Sequence, residues 1–283
     1  DTTKYTTAGN STLYAHWNLN TYSISYTLNG GSVSGQPTSY NVNTATFTLP
    51  TPTKTGYTFT GWTGSNGTTA QKSVSITKNN TGNKSYTANW SINSYYLDLN
   101  GTLDGASVSN ISGYGTADVY IDGALKESAV ADFYQQFTYG SKYEIKNIKA
   151  TAGHTYNGVQ SGSLTGTIGA GNVVVSLKFT SNAYTVNFNY NKPTTDGTIG
   201  NAGTTSKAVT SDSTYGTLPI PTLNGYTFAG WYTAATNGTK VSDTTKYTTA
   251  GNSTLYAHWN LNTYSISYTL NGGSVSGQPT SYN

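Results

Sequence analysis

Residues Asp1 to Asn41 recur without a single change as Asp243 to Asn283, so the chain restarts its own sequence with a period of 243 − 1 = 242 residues. Globular enzymes do not repeat themselves verbatim, whereas long arrays do, because each copy is a structural unit whose value lies in being repeated. The two ends of the chain are therefore expected to be arbitrary cuts through an array. At 283 residues the chain has room for two or three small domains, each with a modest core.

A second, shorter similarity lies inside the period. Tyr57 to Trp62 (YTFTGW) reappears as Tyr226 to Trp231 (YTFAGW), each after a Pro-rich approach, LPTPTKTG or LPIPTLNG. Downstream of each comes a closing signature, SYTANW ending at Trp90 and TLYAHW ending at Trp259, the latter also ending at Trp17. Between about Tyr95 and Thr180 neither signature occurs. The expected organisation is a closing fragment at 1–20, repeat unit one at 21–93, a different β-rich domain at 94–182, repeat unit two at 183–262, and the opening fragment of the next copy at 263–283.

Side-chain periodicity predicts strands throughout. Tyr22, Ile24, Tyr26 and Leu28 alternate with Thr21, Ser23, Ser25 and Thr27, the period of a half-buried strand. The same alternation marks Tyr184, Val186, Phe188 and Tyr190, and in the middle stretch Tyr95, Leu97 and Leu99, Ala117, Val119 and Ile121, and Val173, Val175, Leu177 and Phe179. Asn29-Gly30, Asn66-Gly67, Asn100-Gly101, Asn157-Gly158, Asn224-Gly225 and Asn237-Gly238 are expected to be turns of antiparallel hairpins. The best helix candidate is Leu125 to Gln136. In the closing strands Leu13, Ala15 and Trp17, or Tyr86, Ala88 and Trp90, share a face, which predicts that the terminal Trp plugs the core. Alternation puts Trp62 opposite Tyr57 and Phe59 unless Gly61 marks a bulge.

On these residues the two outer units resemble the Listeria–Bacteroides repeat, the B-repeat of internalin-type surface proteins. The matching pattern is an opening strand ending in Asn29-Gly30-Gly31, then Pro-Thr-Lys-Thr-Gly-Tyr-Thr-Phe-x-Gly-Trp, then Leu-Tyr-Ala-x-Trp. Unit two departs from it, carrying Asn189-Tyr190-Asn191-Lys192-Pro193 in place of the Asn-Gly-Gly turn. The resemblance implies a small β-grasp-like bead of secreted, often tandem, bacterial proteins, and it implies no catalysis. The middle domain has a fainter echo of the collagen-adhesin B-type domain at Tyr143, Ile145, Lys149, Ala150 and Gly153. The Glu that catalyses an internal isopeptide crosslink in that family falls on Asn147, and the Pro and final Tyr fall on Thr151 and His154, so the crosslink is expected to be absent.

Composition narrows the chemistry further. Charged residues are 9% of the chain, the formal charge is +3, and all 14 basic residues are Lys, so neither a phosphate-neutralising run nor Arg base contacts are available and nucleic acid is not an expected partner. The 25 Tyr argue for a folded β protein rather than disorder. No apolar stretch approaches the roughly 18 residues that span a bilayer, and Asp1 does not open a signal peptide. The absence of Cys removes disulfides, thiolate catalysis and Cys-ligated zinc, and the absence of Met as well leaves a chain inert to sulfur oxidation.

Three histidines remain as acid–base candidates, His16, His154 and His258, the first and last being copies of one position. His258 falls on the strand face opposite Leu255 and Trp259, which predicts a solvent-facing residue, and Asn89 replaces it in unit one. Asp98, Asn100 and Asp104 have the oxygen-rich spacing of a calcium loop but lack its distal bidentate acid, so a strand entering an Asn-Gly turn is the favoured reading. Tyr14, Tyr120 and Tyr232 are candidates for outward rings stacking on a glycan or host protein, although most Tyr fall on inward strand phases. No catalytic, cofactor-binding or metal-binding residue is assigned. The expectation is a mainly β, elongated string of beads joined by short connectors, Ser91 to Ser94 and Asn260 to Asn262, whose partners are neighbouring repeats and, through exposed sheet edges, other copies. Its expected role is an extracellular, cell-surface stalk, adhesin or fibre. A ligand-binding adhesin module and, more remotely, an enzyme are the competing classes.

Overall fold

The computed structural model describes residues 4, 6, 8–195 and 197–283; of the fragment at 1–20, positions 1–3, 5 and 7 lie outside the described residues. Among the described residues every helix or strand element is a strand, and no helix is long and apolar enough to cross a membrane. The chain is mainly β and divides into two compact units. The first takes in residues 1–96, 136–141 and 167–172, and the second takes in 97–135, 142–166 and 173–283.

The first repeat is built from β1 (Tyr22–Thr27), β2 (Ser39–Tyr40), β3 (Phe47–Thr48), β4 (Tyr57–Gly64), β5 (Gly67–Gln71), β6 (Ser75–Ile76) and β7 (Lys84–Ile92). Its sheet runs in the order β2-β1-β7-β4-β5, with β3 and β6 forming a separate pair. Sequence neighbours pair antiparallel, but the opening and closing strands β1 and β7 lie side by side in parallel, Ile24 opposite Lys84 and Tyr26 opposite Tyr86. Local turn signals carry no information about that long-range pairing.

The middle stretch contributes β8 (Ser94–Leu103), β9 (Ala106–Val108), β10 (Gly115–Ile121), β11 (Ala124–Val130), β12 (Phe133–Thr138), β13 (Lys142–Ala150), β14 (His154–Ser161), β15 (Thr165–Thr167) and β16 (Val173–Ser181). One sheet has the order β11-β10-β13-β15, and a second has the order β12-β8-β16-β14 with β9 also on β8. The second repeat follows with β17 (Ala183–Asn189), β18 (Ser206–Thr210), β19 (Tyr226–Tyr232), β20 (Lys240–Val241) and β21 (Ser253–Leu261), in the order β18-β17-β21-β19-β20. This is the first repeat's path, with β17 and β21 again parallel. A short hairpin of β22 (Tyr264–Ser265) and β23 (Ser281–Tyr282) completes the chain.

Each repeat encloses its own aromatic core. In the first, Trp62 is fully buried among Ile24, Tyr40, Phe59, Tyr86 and Ala88; in the second, Trp231 is buried among Val186, Phe188, Tyr215, Tyr247 and Leu255. The bulge at Gly61 is present. The register between β4 and β7 shifts between Phe59 and Gly61, and between β19 and β21 it shifts between Phe228 and Gly230. One extra residue rotates the strand, so Phe59 and Trp62, of opposite parity, meet on one face. Their rings lie 5.4 Å apart edge-to-face, and those of Phe228 and Trp231 lie 5.6 Å apart. Gly61 has φ +140°, and a Cβ on it would lie 2.5 Å from the Gln71 backbone nitrogen, so no side chain fits there.

The terminal tryptophans sit shallower than the sequence expectation, and the bulge at Gly61 decides the alternative left open for Trp62. The terminal Trp90 and Trp259 are only partly buried, and each indole N–H donates to a backbone carbonyl, Leu28 at 3.0 Å and Tyr190 at 2.8 Å. They seal the core edge, each stacking edge-to-face on a Phe at 5.5 Å, while the bulged Trp62 and Trp231 fill the interior. The tail copy of the closing strand makes a related point. Ser253–Leu261 buries Leu255 and Ala257 between β17 and β19, whereas the identical residues 11–19 form no strand and leave Leu13 and Trp17 exposed. Pairing with flanking strands, rather than the nonapeptide itself, makes this element.

Leu125 to Gln136 is not helical; it falls in β11 and β12. Asp122-Gly123, with φ +49° and +82°, makes a tight hairpin turn that returns the chain along β10, and this pairing outweighs the weak helix preference of Leu, Lys, Glu and Ala. Two further turn expectations fail. Asn100-Gly101 lies within β8, where a Cβ on Gly101 would be 2.8 Å from the Leu177 carbonyl oxygen, and Asn157-Gly158 lies within β14 at a shift of register. The departure in unit two is smaller than it looks. Asn191 takes the place of Asn29: their φ values are +44° and +50°, and their side-chain amides donate to Ala257 and Ala88 carbonyls at 3.1 and 3.0 Å.

Candidate functional site

The titratable side chains singled out from sequence are dispersed. His16 is exposed in the strandless segment 11–19. His154 is buried at the start of β14, its Nδ1 3.2 Å from the Thr151 hydroxyl and its Nε2 3.4 Å from Asp212, with the Tyr114 ring edge-on at 5.4 Å. His258 is not solvent-facing: it stacks flat on Tyr232 at 3.9 Å, and its Nε2 lies 3.0 Å from the Ala234 carbonyl oxygen. Strand phase correctly put it on the face away from Leu255 but could not show that Tyr232 covers that face. Asn89, its counterpart, likewise donates to backbone, at the Gly61 carbonyl, 3.1 Å. Both side chains peg the closing strand to the bulged strand beside it.

The oxygen-rich stretch does not converge. Asp98 and Asn100 sit together on β8, 3.5 Å apart, while the Asp104 carboxylate accepts the Ser181 N–H at 2.9 Å and the Ser181 hydroxyl at 2.8 Å. Burial pushes the Asp98 carboxyl above the ordinary range, the Asn100 amide pulls it back, and Asp132 adds to the rise. Among the described residues no three His, Cys, Asp or Glu side chains gather as they would around a metal ion.

Asn147, where the sequence echo would place a catalytic Glu, has a different task. Its amide donates to Asp118 at 2.7 Å, and the other Asp118 oxygen accepts the Ala129 N–H at 2.8 Å. Ala129 and Asn147 have φ of +51° and +50°, and the registers of β10 with β11 and with β13 both shift beside Asp118. One carboxylate thus grips a bulge on either side. The Asn147 and Ala129 donors hold it below the ordinary carboxylate range. Asn tolerates left-handed backbone, but Ala does not, so Ala129→Gly is expected to raise stability by about 1 kcal/mol, read as a higher urea midpoint at unchanged slope.

The proposed outward rings are mostly covered. Tyr14 is exposed, but the Lys146 ammonium lies 4.9 Å over Tyr120, and Tyr232 is stacked on His258. The first repeat carries an open hollow lined in part by Gly31, Thr53, Lys54, Tyr57, Phe59 and Trp90. One of its two lysines is already engaged, since Lys54 Nζ donates to the Asn29 carbonyl at 2.9 Å and lies 4.0 Å over the Tyr57 ring. In the second repeat this position is the buried Leu223, so the hollow's chemistry is not a property of both repeats.

The two repeats, alike in bulge, aromatic pair and parallel closing strand, also match a known family in sequence. The Listeria-Bacteroides repeat domain matches residues 22–92 and 184–258, just over half of the chain. The chain belongs to the Listeria-Bacteroides repeat family. Internalin H of Listeria monocytogenes is 31% identical over 190 residues, covering 64% of this chain and 31% of the internalin. A protein of Evansella cellulosilytica, provisionally named a Gly-rich membrane protein, is 27% identical over 265 residues, 93% of this chain and 27% of its own length. The chain thus spans about a third or less of these curated relatives. Among solved structures, the Bacillus anthracis TIE protein aligns with 86% of this chain and 51% of its own length, at 10% identity and a TM-score of 0.33. The two Listeria-Bacteroides repeats coincide with the sheets around Trp62 and Trp231, and the stretch between them lies outside the match.

Proposed function

We propose that this chain is the structural repeat region of an extracellular, cell-surface bacterial stalk, adhesin or fibre, in which length rather than a pocket carries the function. The observation behind this reading is that each repeat closes its sheet around a separate aromatic core while the sequence restarts after a whole period. A unit that is complete in itself adds length when it is copied, whereas a catalytic domain gains nothing by verbatim duplication. The beads in this reading are repeat one at 21–93, the middle domain at 94–182 and repeat two at 183–262, with fragments of neighbouring beads at 1–20 and 263–283. The parallel pairing of first and last strands supports the β-grasp-like description of the repeats. The relation to Internalin H supports a place at the cell surface. A ligand-binding reading draws little from Tyr120 and Tyr232, whose rings are covered.

Small-angle scattering tests the proposal. In a chain carrying two periods, the maximum dimension is expected to be about twice that of one period, with the cross-section unchanged. A radius of gyration on the compact-globule scaling for its length would refute the stalk.

A further inference from the structure

Three places in the chain share one hydrogen-bonded arrangement, including the middle domain, which lies outside the family match. Each begins with a Gly-aromatic-Thr triplet: Gly56-Tyr57-Thr58, Gly153-His154-Thr155 and Gly225-Tyr226-Thr227. Each ends with an Asn-x-Tyr triplet after the closing strand: Asn93 to Tyr95, Asn182 to Tyr184 and Asn262 to Tyr264. The Asn N–H donates to the Gly carbonyl at 2.9, 2.8 and 2.8 Å. The Thr hydroxyl donates to the Asn Oδ1 at 2.6 Å in all three, and the Asn Nδ2 reaches the Tyr hydroxyl at 3.4 Å in all three. The Gly sits in a tight turn, φ +77°, +88° and +77°, closed by the aromatic residue's N–H.

The Asn N–H and Oδ1 are taken by the Gly turn and its Thr, and Nδ2 reaches the following Tyr, which leaves the Asn carbonyl to accept from a later segment of the chain. At the first place it accepts the Tyr139 N–H at 2.8 Å, and at the second the Ser211 N–H at 2.9 Å. The acceptor and donor lie within one compact unit in each case. The donor residue also rests on the turn: a Cβ on Gly56 would lie 2.2 Å from the Tyr139 ring, and one on Gly153 would lie 2.2 Å from the Ser211 hydroxyl. Glycine therefore serves both the turn and the close approach. In both cases the donor immediately follows the strand that pairs with the bead's opening strand, β12 on β8 and β18 on β17.

The third place has the same internal bonds, and nothing lies within 4 Å of a Cβ on Gly225. The hairpin after it has the register of the first repeat: Tyr264 faces Tyr282 and Ser265 faces Ser281, as Tyr22 faces Tyr40 and Ser23 faces Ser39. Ala183 faces Thr210, so Asn182 stands opposite Ser211. The same step in the first repeat puts Asn20 opposite Val42, although no hydrogen bond joins that pair there.

We infer that Gly225, Tyr226, Thr227 and Asn262 form a docking surface for the first hairpin of a following copy of this chain, with the Asn262 carbonyl accepting the N–H of that copy's Val42. The inference rests on the reading of the chain as part of an array. It adds that successive beads are clasped by a fixed backbone hydrogen bond rather than tethered by a free linker. A Gly-aromatic-Thr turn paired with Asn-x-Tyr is then the requirement a bead meets in order to be followed by another, whatever its own fold.

The test uses the 283-residue chain and the same chain continued after Asn283 by residues 42–93 of the period. In the continued chain, amide signals of Gly225 and Tyr226 shift, and the added Val N–H exchanges about tenfold more slowly than in its Asn262→Ala version. In the shorter chain, Asn182→Ala speeds exchange at Ser211 by about the same factor and leaves the Val186 and Leu255 amides unchanged. Thr227→Val, which removes only the hydroxyl, gives a smaller change of the same sign if Asn262→Ala disturbs the repeat. Unmoved Gly225 and Tyr226 signals, or a Val N–H that exchanges equally fast with and without Asn262, overturn the docking surface. Doubling of the maximum dimension in the scattering experiment would survive that failure, so loss of the clasp and loss of the stalk are separable.

Discussion

Trp231→Ala melts the second Listeria-Bacteroides repeat and leaves the first intact. The indole is 2% exposed, touches Phe188, Tyr190 and Phe228 edge-on or tilted at 4.9 to 5.9 Å, and donates to the Pro219 carbonyl at 2.7 Å. Truncation removes the transfer energy, leaves a cavity and orphans that carbonyl, so the local loss is about 3–5 kcal/mol, comparable with the whole stability of so small a domain. Hydrogen exchange is expected to show loss of protection across β17 to β21, with β1 to β7 at wild-type rates. Trp62→Ala gives the mirror result. Its loss is smaller by the hydrogen-bond contribution, because the Trp62 indole N–H has no partner among the described residues. Simultaneous loss of both repeats in either variant would mean one shared cooperative unit, and the modular reading would fall with it.

How far such modules could be read from sequence depended on the range of the interaction. Tyr22, Ile24 and Tyr26, or Val173, Val175 and Leu177, announce strands because burial of alternate residues is a local pattern, and those strands are found where the alternation lies. The parallel contact of β1 with β7 left no mark, since nothing in either strand specifies a partner some 60 residues away. Parity alone could not place Trp62, because the Gly61 bulge changes phase midway through β4. Leu125 to Gln136 was misread from composition, when the nearby Asp122-Gly123 turn was the stronger signal. The clasp is the instructive omission. Its Thr and Asn stand 35, 27 and 35 residues apart, beyond any motif window, yet each half is a short triplet that recurs along the chain. Searching for pairs of short motifs at bead ends, rather than for one long signature, would have found it in the middle domain too.

Stability is expected to hold to about pH 10 and then collapse, and the tyrosines set that edge. Burial, with Tyr86 close by, pushes the Tyr26 phenol up to about 12. Burial likewise raises Tyr40, Tyr86, Tyr143, Tyr156 and Tyr215, in both repeats and in the middle domain. The sign comes from linkage: above the unfolded value near 10 an unfolded chain ionises while the folded one keeps its protons, so each raised phenol favours unfolding as pH climbs toward its folded value. Below pH 10 both states are protonated and these groups have no effect. Several phenols acting together make the fall steep, and the share of phenolate absorbance that these buried rings supply should therefore appear in the same narrow interval as loss of the strand signal. Tyr26→Phe removes one ionisation together with the hydrogen bond to the Pro37 carbonyl at 3.0 Å. It is expected to be less stable than wild type at neutral pH and to lose less between pH 10 and 12, so the two stability curves converge in strong alkali. Ionisation of all 25 phenols with the strands still in place would show that the buried rings are reached by solvent, and that aromatic packing does not hold these cores closed.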